Sequence, residues 1–63
     1  MRDSKDIIRR LERAGWVHVR TRGSHWIARH PERPGTVTVP HPRKDLTIAT
    51  IKSIEKQSGV SMK

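Results

Sequence analysis

The run Arg20-Thr-Arg-Gly-Ser-His25-Trp26 sets one imidazole beside a hydroxyl, a glycine and two guanidinium groups. An unperturbed imidazole titrates near pH ~6.5, so near neutrality the ring can either take or give a proton. Arginine grips phosphate oxygens through paired N–H groups, a serine hydroxyl adds another hydrogen bond, and glycine lets the backbone approach an anion closely. The chemistry on offer is phosphate binding with proton transfer. His25 is the candidate catalytic residue, and Arg20, Arg22, Gly23, Ser24 and, further on, Arg29 are the candidate substrate-binding residues. Residue types alone leave a second reading open, in which Gly23 and Ser24 are ordinary turn chemistry and His25 is a surface histidine on a basic hairpin.

The elements that must position this cluster follow from periodicity. Ser4 is placed to cap a helix in which Ile7, Leu11 and Ala14 recur at i, i+4 and i+7, with Ile8 flanking and Asp6 in the first turn. Gly15 ends that helix, and Arg9, Arg10 and Arg13 fall on its other side or at its end, where the dipole favours cations. Residues 16–21 then alternate as a strand, Val17 and Val19 on one side and Trp16, His18 and Arg20 on the other. Arg22-Gly23 turns the chain into a second strand over residues 25–30, where His25, Ile27 and Arg29 share one face and Trp26, Ala28 and His30 the other. Two prolines and a glycine make residues 31–35 a loop, and residues 36–39 form a third strand that Pro40 ends. After a basic connector, Thr47 caps a second helix with Ile48, Ile51 and Ile54 along one face. Gly59 ends it, Val60 can fold back on Ile54, and residues 61–63 read as a frayed tail.

Helix, three strands and helix predict an α+β fold: a two-layer α-β-β-β-α sandwich, its three-stranded antiparallel sheet carrying both helices on one face. The other sheet face stays open. Arg29 shares the face of His25 and is the arginine best placed to stabilise charge there, while Trp16 anchors the core between helix and sheet. If Val17 and Val19 point to the helices, His18 reaches the open face as a second proton carrier. His30 and His41 stand beside prolines and read as structural or solvent-exposed.

Sixty-three residues at 32% hydrophobic content allow one small domain over residues 1–63. Fourteen Lys and Arg against six Asp and Glu give +8, a field that draws in polyanions. No apolar run approaches the ~20 residues that span a bilayer, and the N-terminus lacks the apolar core of a signal peptide, so a cytoplasmic chain is expected. Zero cysteines remove disulfides, thiol nucleophiles and the usual zinc sets. His18, His25 and His30 lie on two strands with no carboxylate at ligand spacing, so neither metal nor cofactor is expected.

Several ordered motifs carry a resemblance over nearly the whole chain: Gly15-Trp16, Arg20-Thr-Arg-Gly-Ser-His25, His30-Pro31, Pro34-Gly35, Val37-Thr-Val-Pro-His-Pro42, Lys44-Asp45-Leu46 and Lys52-Ser53-Ile54 through to Gly59. In these it resembles the HicA toxins of bacterial and archaeal toxin-antitoxin pairs, small ribonucleases with a double-stranded-RNA-binding-like fold. The resemblance implies a catalytic histidine at His25, metal-free cleavage of messenger RNA and arrest of translation. It also implies a HicB-type antitoxin covering the active face, with any oligomer formed through that antitoxin.

Two positions depart from the family pattern: Trp26 stands where many members have a second histidine, and Ala28 where they have an aromatic. Both lie on the expected inward face, where the pair reads as a volume exchange within the core; with Trp26 turned outward instead, the RNA-contacting surface would differ from the family's usual pattern. RNA suits such a site because its own 2′-hydroxyl is the nucleophile, leaving the enzyme to move protons and stabilise negative charge. The alternative is a non-catalytic RNA-binding module of the same fold, holding duplex RNA by shape and 2′-hydroxyl contacts.

Overall fold

Asp3, not Ser4, caps the first helix, α1 (Ser4–Arg13), its carboxylate accepting from the Lys5 N–H at 2.9 Å. Aspartate caps as well as serine does and comes one residue earlier, which releases Ser4 to face inward with Ile7 and Leu11 at i+3 and i+7. Ala14, expected on the buried stripe, is instead the exposed C-cap, its N–H reaching back to the Arg10 carbonyl. Ser4 is 1% exposed. Its hydroxyl accepts from the Arg43 N–H at 3.0 Å and meets His41 Nδ1 at 2.6 Å. Two backbone bonds flank it, from Ser4 N–H to the Arg43 carbonyl and from Leu46 N–H to the Arg2 carbonyl.

The computed structural model describes residues 2–62 and shows strands β1 (Val17–Arg22), β2 (His25–His30) and β3 (Arg33–Pro40). They form one antiparallel sheet in the order β1-β2-β3. The connection between β2 and β3 is shorter than expected, because β3 begins at Arg33 and runs through Pro34 and Gly35. The pairing explains how a strand tolerates them: Arg29 faces Thr36 and His30 faces Arg33, so Pro34 and Gly35 have no partner and bulge out of the ladder. Pro40 closes the strand opposite His25.

Helix α2 (Ile48–Ser58) is capped by the Thr47 hydroxyl, which accepts from the Thr50 N–H at 3.2 Å, and ends at Gly59 in the left-handed conformation. Ile48 is not on its buried stripe and is 53% exposed. Six residues turn an α-helix by roughly 600°, which leaves Ile48 about 120° away from Ile54, whereas Ser58 at i+4 falls beside it. Ser58 accordingly is buried and its hydroxyl donates to the Ile54 carbonyl at 2.7 Å.

Both helices cover one sheet face, so the layout is the α+β sandwich that the element order predicts. Ile7, Leu11, Trp16, Trp26, Ala28, Val37, Val39, Leu46, Ile54 and Met62 make the core, with Ile8, Ile51 and Val60 packed at its margin. Met62 corrects the expected frayed tail. It is 6% exposed, and its N–H donates to Glu55 Oε2 at 2.8 Å while Arg10 donates to the Ser61 carbonyl. Lys63, the last residue of that expected tail, lies outside the described residues.

Ser4→Ala leaves the half-buried His41 ring nitrogen and the Arg43 N–H without their shared partner. The expected loss is about 1–3 kcal/mol, read as a lower thermal midpoint by circular dichroism, at roughly 4–8 °C per kcal/mol for a domain of this size.

Candidate active site on the open sheet face

β1 and β2 are joined by two residues, Gly23 and Ser24, and Arg22 pairs directly with His25 across them. Gly23 has φ 56° and among the described residues none other than glycine has positive φ, so the turn carries its one positive-φ residue first, as a type II′ hairpin does. That turn matches the twist of the strands and fixes where His25 starts. A second tie comes from beyond β3, where the His41 N–H donates to the Ser24 carbonyl at 2.8 Å. The catalytic candidate therefore sits between a rigid hairpin turn and a backbone bond to the connector that Ser4 holds.

Cross-strand partners share a face, and β1 changes faces in the middle. His18 pairs with Ala28 but Arg20 pairs with Ile27, which leaves Val19 as an extra, bulged residue. Simple alternation would group His18 with Arg20. The bulge instead sends His18 to the helix side with Ala28 and Thr21 to that side with Trp26, while Arg20 and Arg22 join Ile27 and His25 on the open face. Val17, paired with Arg29, also lies on the open face and is 60% exposed, against the expectation that Val17 and Val19 turn to the helices.

His18 is therefore not on the open face. Its ring stacks on Trp26 with centroids 5.5 Å apart and planes 14° from parallel, and its Nε2 lies 2.9 Å from Thr21 Oγ1. His30 is fixed from both sides, Nδ1 accepting from the Glu32 N–H at 3.0 Å and Nε2 donating to the Ala14 carbonyl at 2.9 Å. It also meets Trp16 edge-on at 5.3 Å. His41 is tied to Ser4. Three of the four imidazoles are thus engaged, and His25 alone is exposed with no hydrogen bond to its ring among the described residues.

An open groove of about 540 Å³ runs beside it, lined by Arg22, Gly23, His25, Ile27 and Thr38. Ile27, half-buried, is its floor, and Thr38 stands opposite Ile27 on β3. Residue type alone does not single out Thr38, which is neither charged nor a proton carrier. Its signal lies in the alternation of Thr36-Val-Thr-Val39, which sets both threonines opposite the buried valines.

The five substrate-binding candidates are not equally close. Arg22, Gly23 and Ser24 adjoin His25, and Arg20 is two ladder pairs further on. Arg29 shares the face, but it lies four residue steps along the strand from His25, about 13 Å at ~3.3 Å per residue, and it lines a different groove with Val17, His30, Pro31 and Arg33. None of the three strands contains an Asp or Glu. The arginines on the sheet thus have no carboxylate beside them on their own strands, and the described residues hold one ion pair, Arg2 to Asp45 at 3.7 Å.

Trp26 and Ala28 both point to the helices, 7% and 0% exposed. The indole fills the core space beside a methyl and is absent from the open face. Among the described residues no cluster of three or more His, Cys, Asp or Glu side chains can hold a metal ion, and no helix is long and apolar enough to cross a membrane.

A three-stranded meander with two helices on one face and a basic, histidine-bearing surface on the other defines a small α+β protein of the double-stranded-RNA-binding-like kind. The chain belongs to the HicA toxin family: residues 4–60 match the family model described as HicA toxin of bacterial toxin-antitoxin. It is similar to a chain in a solved structure, the HicA3 and HicB3 toxin-antitoxin complex. The two share 31% identity and a TM-score of 0.76 over 97% of this chain and 98% of that one. No curated protein matches the chain.

Removing the ring that covers Trp26 is a test of the revised position of His18. His18→Ala is expected to red-shift the indole emission and cost on the order of 1 kcal/mol in urea denaturation, whereas a histidine on the open face would leave the emission unchanged.

Proposed function

We propose that this HicA toxin is a metal-independent endoribonuclease that cleaves messenger RNA in the cytoplasm and so arrests translation, with His25 as its catalytic residue. One observation carries the reading: His25 is the exposed imidazole left unengaged among the described residues, in a groove beside Arg22 and on strands free of carboxylates.

In the proposed step the His25 ring removes the proton from a ribose 2′-hydroxyl, and that oxygen attacks the adjacent phosphorus. The O2′–P bond forms, the P–O5′ bond breaks, and a proton reaches O5′ from water or from the imidazolium just formed. The products are a 2′,3′-cyclic phosphate and a 5′-hydroxyl. Charge grows on the non-bridging oxygens, where Arg22, directly across from His25, is nearest to neutralise it. Ser24 and the backbone at Gly23 hold the reacting phosphate, and Arg20 and Arg29 hold its neighbours along the strand.

The partner we propose is a HicB-type antitoxin that lays an acidic surface over the open face. The solved relative pairs HicA3 with HicB3, and a basic sheet face with no carboxylates of its own is complementary to such a surface. Binding of that kind would also stabilise the small domain by mass action.

The test is cleavage of a long messenger RNA with EDTA present. His25→Ala is expected to lose roughly 10²–10⁴-fold in rate and to keep most of its RNA affinity, since phosphate contacts carry the binding. If both chains bind RNA and neither cuts, the protein is a binding module and the proposal fails. The arginines separate by kinetics: Arg22→Gln lowers kcat by roughly 10²-fold, while Arg29→Gln acts mainly through KM.

A further inference from the structure

The basic surface does not stop at the sheet. Arg29 on the open face and Arg33 line one groove at the β2–β3 end of the molecule, and Arg33, paired with His30, already lies on the helix side. The Arg33 guanidinium rests against the end of α2, where a β-carbon on Gly59 would come within 2.5 Å of its Nη1. Two residues on, the Ser61 carbonyl accepts from Arg10 Nη1 at 3.2 Å. Arg10 and Arg13 line a second groove there with Ala14, Val60 and Ser61, and share a third with Arg9 and Asp6 on α1. His30 ties the first groove to the second through its bond to the Ala14 carbonyl.

The arginines at positions 29, 33, 10, 13 and 9 thus follow one another around a rim of a molecule only 17 Å thick. Asp6 is the one acid among the residues lining these three grooves, and none of the five arginines has an ion-pair partner among the described residues. Arg10 is held in place between two grooves, and Arg9 and Arg13 project one helical turn apart. Like charges gathered with one acid among them and no ion pair repel one another, and a chain of phosphates relieves that repulsion at each step.

We propose that this arginine track is a second binding surface for the RNA backbone, which carries a substrate from the open face over the β2–β3 rim onto α1. The proposal rests on the RNA-cleaving reading of the open face. A short oligonucleotide meets only the groove around His25, whereas a longer one also occupies the track.

The experiment uses a His25→Ala chain, so that binding is read without cleavage, and RNAs of about 4 and about 16 nucleotides, the range of single-strand sites. Binding is measured from 50 to 200 mM salt, with and without the added pair Arg9→Gln and Arg13→Gln. Both positions are exposed and their side chains form no hydrogen bond or ion pair among the described residues, so the fold is not at risk, and circular dichroism checks it. On the longer RNA the pair is expected to make the salt slope shallower by about 1.4, at roughly 0.7 for each phosphate that is no longer neutralised. Arg33→Gln adds about 0.7 more. On the short RNA the slope is unchanged.

An unchanged slope on the longer RNA, or equal losses on both, overturns the track. So does a pair that leaves RNA binding intact but weakens binding of a HicB-type antitoxin, since α1 is then a protein interface. A chain with His25 restored that cuts neither RNA in EDTA, beside a track-dependent slope, would refute the nuclease reading and leave the track standing.

Discussion

The Ser4 hydroxyl is the polar joint on which the remaining structure depends. It sits in the core at the start of α1 and satisfies both His41 Nδ1 and the Arg43 N–H. A hydroxyl both donates and accepts, so this one side chain serves the ring nitrogen and the backbone N–H together. His41 then gives its backbone N–H to Ser24, in the turn that precedes His25. A helix, a connector and a hairpin turn are joined through one side-chain contact and one backbone bond. Buried hydroxyls are costly when unsatisfied and directional when satisfied, and here the direction is passed to the site.

The open face shows how a small sheet can be basic without falling apart. The hydrophobic work is done on the other side, where the two helices and the tail through Met62 complete one core. Few of the open-face residues are needed for packing. Arg20, Arg22, Arg29, Thr36 and Thr38 project from a ladder held by backbone bonds and by the buried valines of β3. Their mutual repulsion is tolerated because the side chains are solvated and flexible.

Much of this is legible from the chain alone, for identifiable reasons. The strict alternation of Trp26, Ala28, Val37 and Val39 fixes the buried face of β2 and β3, and the glycines at 15, 23 and 59 mark three chain reversals or endings. What is not legible depends on pairing. Neither the Val19 bulge nor the unpaired Pro34-Gly35 can be seen in a single strand, because a bulge exists only relative to its partner. Hence alternation alone puts His18 on the wrong face, and turn residues alone make a stretch of strand read as loop. The Ser4 expectation fails for a different reason, since two adjacent residues are both good caps and only the tertiary partner of the second decides between them. The ranking of Arg29 fails on distance, because sharing a face says nothing of how many residues lie between.

The Val19 bulge also bears on how such a gene can change length. Position 19 has no cross-strand partner, so an in-frame loss of its codon would leave every other pairing in β1 as it stands, with Arg20 still beside Ile27. Loss of the codon for Thr21 would instead be absorbed by drawing Val19 into the ladder, and Arg20 would turn to the helix side. Two deletions of equal size, two codons apart, would thus have opposite fates under selection, and homologues that differ in length at the bulge alone can carry the same open face.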